Sequence, residues 1–212
     1  MTKLFIMRVP QNILEKVKGV FGTKAMSVLS GELASRIGSA ELGTSELVTL
    51  SHRPSGEPFF ENHEQLFVSI THSDNIACIA ISDNRIGIDA ELIKDYRESV
   101  LNRAYNAHEK KQVLSSGDKE AQNRTFYEIW TKKEAVAKSI GEGLNRVLMT
   151  SVCDEYGPIY TYVSPNKKKF YLKTYTDFDD CIISVSSANQ LMPKSIAEIP
   201  VEACELLAEA VV

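Results

Sequence analysis

No apolar run in the 212-residue sequence approaches a membrane-spanning helix, which needs about 20 consecutive apolar residues. Neither a membrane span nor a membrane partner is therefore expected. Cysteine is sparse: Cys78, Cys153, Cys181 and Cys204 lie apart, without the paired spacing of a zinc site. Cys78 and Cys181 sit inside apolar runs, where a free thiol behaves as a small hydrophobe. Zinc and disulfides are not expected. An excess of positive charge is also missing. The formal net charge of -4 argues against general nucleic-acid binding, though it leaves room for a local basic patch. The apolar part of Met1–Arg8 is too short for a signal peptide, so the cytoplasm is the expected location. What is present is a soluble balance, 43% hydrophobic and 25% charged. A chain of this length can bury a core as one large domain or two small ones.

Two segments carry most of the chemistry. In Ile86-Gly87-Ile88-Asp89-Ala90-Glu91-Leu92 the period of two predicts a strand. Ile86, Ile88, Ala90 and Leu92 share one face, and Gly87, Asp89 and Glu91 the other. Trp130-Thr131-Lys132-Lys133-Glu134-Ala135-Val136-Ala137-Lys138 reads as a helix. Thr125 with Glu128 predicts its start as a capping box, and Gly141 and Gly143 its end. Phe126, Ile129, Trp130, Val136, Ala137 and Ile140 form an apolar arc, edged by a polar row of Tyr127, Thr131, Glu134 and Lys138. Lys133 falls near the middle of the arc and needs a partner or a route to water. On these residues alone, Asp89 and Glu91 also fit a solvated strand face. Glu134 and Lys138 also fit an ordinary surface pair, contributing about 0.2–0.5 kcal/mol, and Lys133 could simply snorkel.

The remainder of the chain predicts a first strand over residues 4–9, helical spacing from Ile13 to Phe21, and a second helix over 24–37. A short strand is expected over 47–50. Residues 51–60 form the clearest loop. A strand over 66–71 ends at Thr71-His72-Ser73, where hydroxyl and imidazole donors are well placed to hold phosphate. The apolar run 76–82 should be a buried strand. Asp83-Asn84 should turn it into the Asp89 strand as a hairpin. Residues 95–116 read as helical, with a second capping box at Asn106–Glu109 splitting the stretch. Strands are expected over 151–152, 159–163, 170–175 and 181–185. Cys78-Ile79-Ala80-Ile81-Ser82 and Cys181-Ile182-Ile183-Ser184 echo one another, too briefly to establish a repeat.

Gly87-Ile88-Asp89-Ala90-Glu91, followed by Trp130-Thr131-Lys132-Lys133-Glu134-Ala135-Val136-Ala137-Lys138, resembles the signature of the 4'-phosphopantetheinyl transferases, specifically the surfactin-synthetase-type branch. Ala90 stands where that family usually has a branched apolar residue, and Glu57 of Gly56-Glu57-Pro58 where it has lysine. The resemblance covers about residues 21–187. It implies an α+β fold of two similar α/β halves related by a pseudo-twofold, divided as residues 1–95 and 96–188 with a tail at 189–212, and a monomer.

The activity so implied is Mg²⁺-dependent. The phosphopantetheine of coenzyme A moves to a serine of an acidic acyl or peptidyl carrier protein, as in fatty acid or secondary metabolite biosynthesis, and adenosine 3',5'-bisphosphate leaves. By the same resemblance Asp89, Glu91 and Glu134 hold Mg²⁺. Glu134 is the base for the serine, with a water held by Glu91 as the competing assignment. Lys138 meets the diphosphate, and Lys133 stabilises the same site or bridges its walls. Thr71, His72, Ser73, Arg53 and Gly56 contact the nucleotide. Lys24 and Arg36 serve the 3'-phosphate. Arg103, Lys110, Lys111 and Arg124 fit either a basic rim for the carrier or a plain solvated face. Two other readings compete: a Mg²⁺-dependent coenzyme A diphosphate hydrolase, and a carrier-binding module without catalysis.

Overall fold

The computed structural model describes residues 1–141 and 150–212. The expected stop at Gly143 lies outside the described residues. The fold is α+β, and its contacts divide it into two units, Met1–Asn84 with Pro193–Val212, and Arg85–Met192. The division falls before the expected boundary at residue 95. The C-terminal tail is part of the first unit rather than a separate segment.

In the first unit, β1 (Thr2–Arg8) leads into α1 (Gln11–Phe21) and α2 (Ala25–Leu42). The short strands β2 (Leu50–His52) and β3 (Pro58–Phe60) precede β4 (Phe67–Ser73) and β5 (Ile76–Ser82). The sheet order is β12-β1-β5-β4-β3-β2, with β12 (Ala197–Ile199) parallel to β1. Met26, Leu29, Leu33 and Ile37 of α2 pack over Val68, Ile79 and Ile81. The C-terminal helix α6 (Val201–Val211) adds Cys204 and Leu207 to the same core. The expected strand at 47–50 and loop at 51–60 are replaced by a hairpin, in which Leu50 pairs with Phe60 and His52 with Pro58. Its anchor is Phe60, fully buried, whose ring occupies the space a side chain at Gly38 would need.

The second unit begins with β6 (Ile86–Leu92), followed by α3 (Glu98–Ala104), α4 (Ala107–Leu114) and α5 (Lys119–Ile140). A small ribbon, β7 (Cys153–Asp154) with β8 (Gly157–Pro158), precedes β9 (Thr161–Val163), β10 (Lys169–Tyr175) and β11 (Cys181–Ser187). The main sheet is antiparallel throughout, in the order β6-β11-β10-β9. The expected hairpin across Asp83-Asn84 does not form. β5 pairs with β1 and β4, β6 pairs with β11, and the two strands belong to different units. Two-residue turns favour hairpins only when both strands find each other, and here longer-range partners win. The units nonetheless share a topology. β1 pairs with β5, which pairs with β4, as β6 pairs with β11, which pairs with β10; β12 is added beside β1 in the first unit alone. The echoing segments at Cys78 and Cys181 are the two equivalent central strands, β5 and β11, buried along their whole length.

The helix α5 starts earlier than the Thr125–Glu128 box implies. Asp118 is the N-cap, its side chain accepting from the Ala121 N–H at 2.9 Å. Thr125 instead donates to Ser116 Oγ at 2.8 Å. The helix ends at Gly141 in the left-handed region, φ 73°. The Asn106–Glu109 capping box on α4 is present in full.

What seats α5 on the sheet is Gly87. A Cβ there would lie 2.1 Å from the Ala135 carbonyl oxygen and 2.6 Å from the Ser139 nitrogen. Both are backbone atoms of a long helix and cannot swing aside. Gly87→Ala is therefore expected to push α5 off β6 and lower unfolding stability by about 1–3 kcal/mol. Denaturant unfolding that agrees with wild type to within about 0.5 kcal/mol would contradict this packing.

Candidate active site

The candidate site lies in a corner where β6 meets α5. Because Gly87, Asp89 and Glu91 share a strand face, the helix that covers Gly87 also covers the two carboxylates. The neighbouring strand continues this face with small hydroxyls, Ser186 opposite Gly87 and Ser184 opposite Asp89. Ser186 meets Ser139 at 2.7 Å and Ser184 meets Thr131 at 2.8 Å, all four residues buried. The row called polar in the sequence thus faces the sheet. The apolar arc, through Phe126, Ile129 and Val136, faces Tyr96, Leu101, Tyr105 and Val113 from the α3–α4 side.

One turn apart on α5, Glu134 and Lys138 point to this corner. The Lys138 ammonium donates to Asp89 Oδ1 at 2.7 Å and to the Ile88 carbonyl at 3.1 Å. Asp89 is buried and Lys138 is partly open. The Glu134 carboxyl is pushed up from 4.5 to about 7. Burial is the main cause, then the charge of Asp89, with Lys138 opposing and Glu91 adding a smaller push. Glu134 therefore feels the charge of both strand carboxylates across the strand–helix contact.

Their donor chemistry suits a hard divalent ion such as Mg²⁺, because the repulsion that raises Glu134 is what such an ion would cancel. Among the described residues, however, no three acidic, histidine or cysteine side chains are already gathered around a common metal position. A metal would have to draw Asp89, Glu91 and Glu134 inward.

Beside the corner, within the same unit, is a pocket of about 480 Å³. Glu91, Tyr127 and Trp130 line it, with Lys94, Arg97 and Arg103 among its other walls. Burial and then the charge of Glu91 raise the Tyr127 hydroxyl above its ordinary value. The sequence reading did not single out Lys94 and Arg97. The available signal was their position directly after the carboxylate strand, with Arg97 at the start of the stretch read as helical. Of the proposed basic rim, only Arg103 reaches the pocket. Lys110 donates to the Asn102 carbonyl at 3.0 Å and Arg124 to the Asp179 carbonyl at 3.1 Å, while Lys111 is exposed.

Lys133 does not belong to the corner. It is 1% exposed, and its ammonium donates to Glu109 Oε2 at 2.9 Å and to the Thr150 carbonyl at 2.6 Å. The partner that its place in the apolar arc demanded is on α4, so it is not presented to a coenzyme phosphate.

The remaining predicted contacts lie in the first unit. His72 is exposed and, with Lys18, Gln11, Thr23, Asp74 and Asn75, lines a pocket of about 400 Å³. Thr71 and Ser73 alternate to the opposite strand face. Arg53 lies 4.6 Å over the Phe59 ring, 3.7 Å from Glu64 and 3.9 Å from Glu57. Glu57, at the position where the family has lysine, thus sits against Arg53. Gly56, at φ 86°, forms the exposed tip of that hairpin. Arg36 is paired with Glu32 at 2.8 Å, and Lys24 is exposed at the start of α2.

The chain was compared with known proteins. A family model described as the 4'-phosphopantetheinyl transferase superfamily matches residues 85–191, a span that contains the whole corner. The chain is 26% identical over 158 residues to the 4'-phosphopantetheinyl transferase ffp of Bacillus subtilis, covering 74% of this chain and 70% of that protein. It is 25% identical over 157 residues to the 4'-phosphopantetheinyl transferase Sfp of Bacillus subtilis (strain 168), covering 73% and 70%. To the 4'-phosphopantetheinyl transferase AcpT of Salmonella typhi it is 30% identical over 100 residues, covering 46% and 52%. Among the described residues, no helix is long and apolar enough to cross a membrane.

The raised Glu134 carboxyl carries a signed consequence. Its folded value of about 7 exceeds its ordinary 4.5, so between these the folded chain holds more protons than the unfolded chain. Its contribution to stability is greatest at low pH and is lost as pH rises through about 7. With chelator present, the wild-type melting temperature should decline over this window, and Glu134→Gln should flatten the decline. An unchanged slope in that variant would show that Glu134 is not the group involved.

Proposed function

The chain belongs to the 4'-phosphopantetheinyl transferase superfamily, and we propose that it transfers the phosphopantetheine arm of coenzyme A to a serine hydroxyl of an apo carrier protein. The observation that carries this reading is the Asp89–Lys138 ion pair set beside a Glu134 lifted to about 7, all within the matched span.

In this reading the serine oxygen bonds to the phosphorus that bears the pantetheine. The bond from that phosphorus to the bridging diphosphate oxygen breaks, and adenosine 3',5'-bisphosphate leaves. Phosphoryl transfer depends mainly on alignment and on charge stabilisation. Glu134 takes the serine proton, directly or through water, with a water held by Glu91 as the competing assignment. Lys138, engaged by Asp89 in the free protein, turns its ammonium to the diphosphate and stabilises charge on the leaving oxygen. Asp89, Glu91 and Glu134 would hold Mg²⁺. When bound, that ion supplies neutralisation of the diphosphate. Lys94, Arg97 and Arg103 outnumber Glu91 and Asp95 in the wall of the adjoining pocket, which suits an acidic protein partner. In this reading the chain acts as a monomer in the cytoplasm.

The deciding experiment is mass spectrometry of several apo carriers incubated with coenzyme A, Mg²⁺ and the protein. The expected outcome is a gain of one phosphopantetheine on at least one carrier. Bisphosphate release with no carrier gaining mass would favour the hydrolase reading instead. Glu134→Gln should lower transfer at least about 100-fold while leaving the fold intact. Wild-type turnover in that variant would refute the assigned role. Mg²⁺ should raise the melting temperature of the wild type, because a ligand that binds only the folded state stabilises it. It should do so less for Glu134→Gln, and an equal rise in both would remove Glu134 from the metal site.

A further inference from the structure

We propose that Glu109 and Lys133 are a positioning pair, which sets the rotation of α5 so that Glu134 and Lys138 face β6; the inference rests on the functional reading above. The two side chains form a closed network. Glu109 Oε2 accepts from the Lys133 ammonium and from the Asn106 backbone N–H, each at 2.9 Å. Glu109 Oε1 accepts from the Val152 N–H at 3.0 Å. Lys133 also donates to the Thr150 carbonyl at 2.6 Å. The side chains are 0% and 1% exposed. One pair therefore joins the N-terminus of α4, the segment at residues 150–152 and the middle of α5.

Two features mark this as more than cohesion. A buried ion pair is rarely more stabilising than an apolar pair of equal volume, but it demands a particular geometry. Lys133 is also next in sequence to Glu134. Neighbouring helical residues diverge by about 100° around the axis, so anchoring Lys133 toward α4 turns Glu134 toward the sheet. Gly87, Ser184 and Ser186 hold α5 from the sheet side. The ion pair holds it from the other side, at the turn that bears the acidic group.

The test uses the full chain with coenzyme A, Mg²⁺ and an apo carrier. Glu109→Gln/Lys133→Met removes both charges together, so neither is stranded. Glu109→Asp keeps the charges and shortens one arm. Circular dichroism and thermal melting establish that each variant is folded. Misplacing a reacting group by about 1 Å can cost about 100-fold in rate. Each folded variant should thus lose about tenfold or more in kcat, with KM for coenzyme A changed by less than about twofold. A folded double variant with wild-type kcat, or a loss confined to KM, overturns the proposal. If the double variant does not fold, Glu109→Asp decides by the same split. If wild type itself transfers nothing, the functional reading has failed instead. The pair is then judged by a crystal structure of Glu109→Asp, where a Lys138–Asp89 contact still at 2.7 Å overturns it.

Discussion

The acidic corner depends on one missing side chain. Asp89 is short, and its carboxylate meets Lys138 only because the backbone of α5 comes down onto β6 at Gly87. A helix resting on ordinary apolar side chains stands farther from its sheet than one whose backbone meets a glycine. Around Gly87 the other contacts are equally small: Ser186 with Ser139, and Ser184 with Thr131. These hydroxyls satisfy each other in a space too tight for leucine or isoleucine. Gly-Ile-Asp is thus a packing instruction as well as a chemical one.

The same helix carries two adjacent charges into opposite situations. Lys133 is neutralised, with Glu109 and a backbone carbonyl around it. Glu134 lies where Asp89 and Glu91 repel it and only Lys138 opposes them. Three carboxylates against one ammonium leave the corner electron-rich. A folded protein tolerates this poorly unless something positive arrives, and the protein responds by holding the Glu134 proton more tightly. Removing one member of a buried pair such as Glu109–Lys133 costs about 3–5 kcal/mol, whereas the corner would gain from losing a charge. The first arrangement is built for structure and the second is left incomplete, as expected of a site that completes itself on binding.

These differences explain what could be read from the residues alone. The alternation around Asp89, the cap at Asn106, the stop at Gly141 and the need of Lys133 for a partner are local, and each survives in the structure. What was not legible was pairing at a distance. Nothing near Asp83-Asn84 signals that β5 and β6 join different sheets. Nor does the row Thr131, Glu134, Lys138 announce that it faces a sheet, since a polar helix edge usually faces water. The hydroxyls that make this possible, Ser184 and Ser186, are some fifty residues away in sequence and carry no motif of their own. Glu109 could be seen as a cap but not as a counter-ion, because the cap partner Asn106 is local in the chain, whereas Lys133, which shares the same Oε2, is 24 residues away.

The shared strand order of the two units isolates what makes the corner. If β5 and β11 are aligned on Cys78 and Cys181, the strand beside each can be compared position by position. Ile81 is paired with Lys3 where Ser184 is paired with Asp89, and Ile79 with Phe5 where Ile182 is paired with Glu91. Lys3 reaches Glu41 at the end of α2, at 2.6 Å, just as Asp89 reaches Lys138 on α5. One scaffold thus makes a strand-to-helix ion pair twice, with the signs exchanged. In the first unit the rest of the helix face is apolar, Leu29 and Leu33 over Ile79 and Ile81, and the ion pair is an isolated bridge. In the second, serines and a glycine replace that layer, the helix descends, and further acidic groups fit beside the bridge. The chemistry follows from thinning the packing under one helix, while the order of strands stays the same.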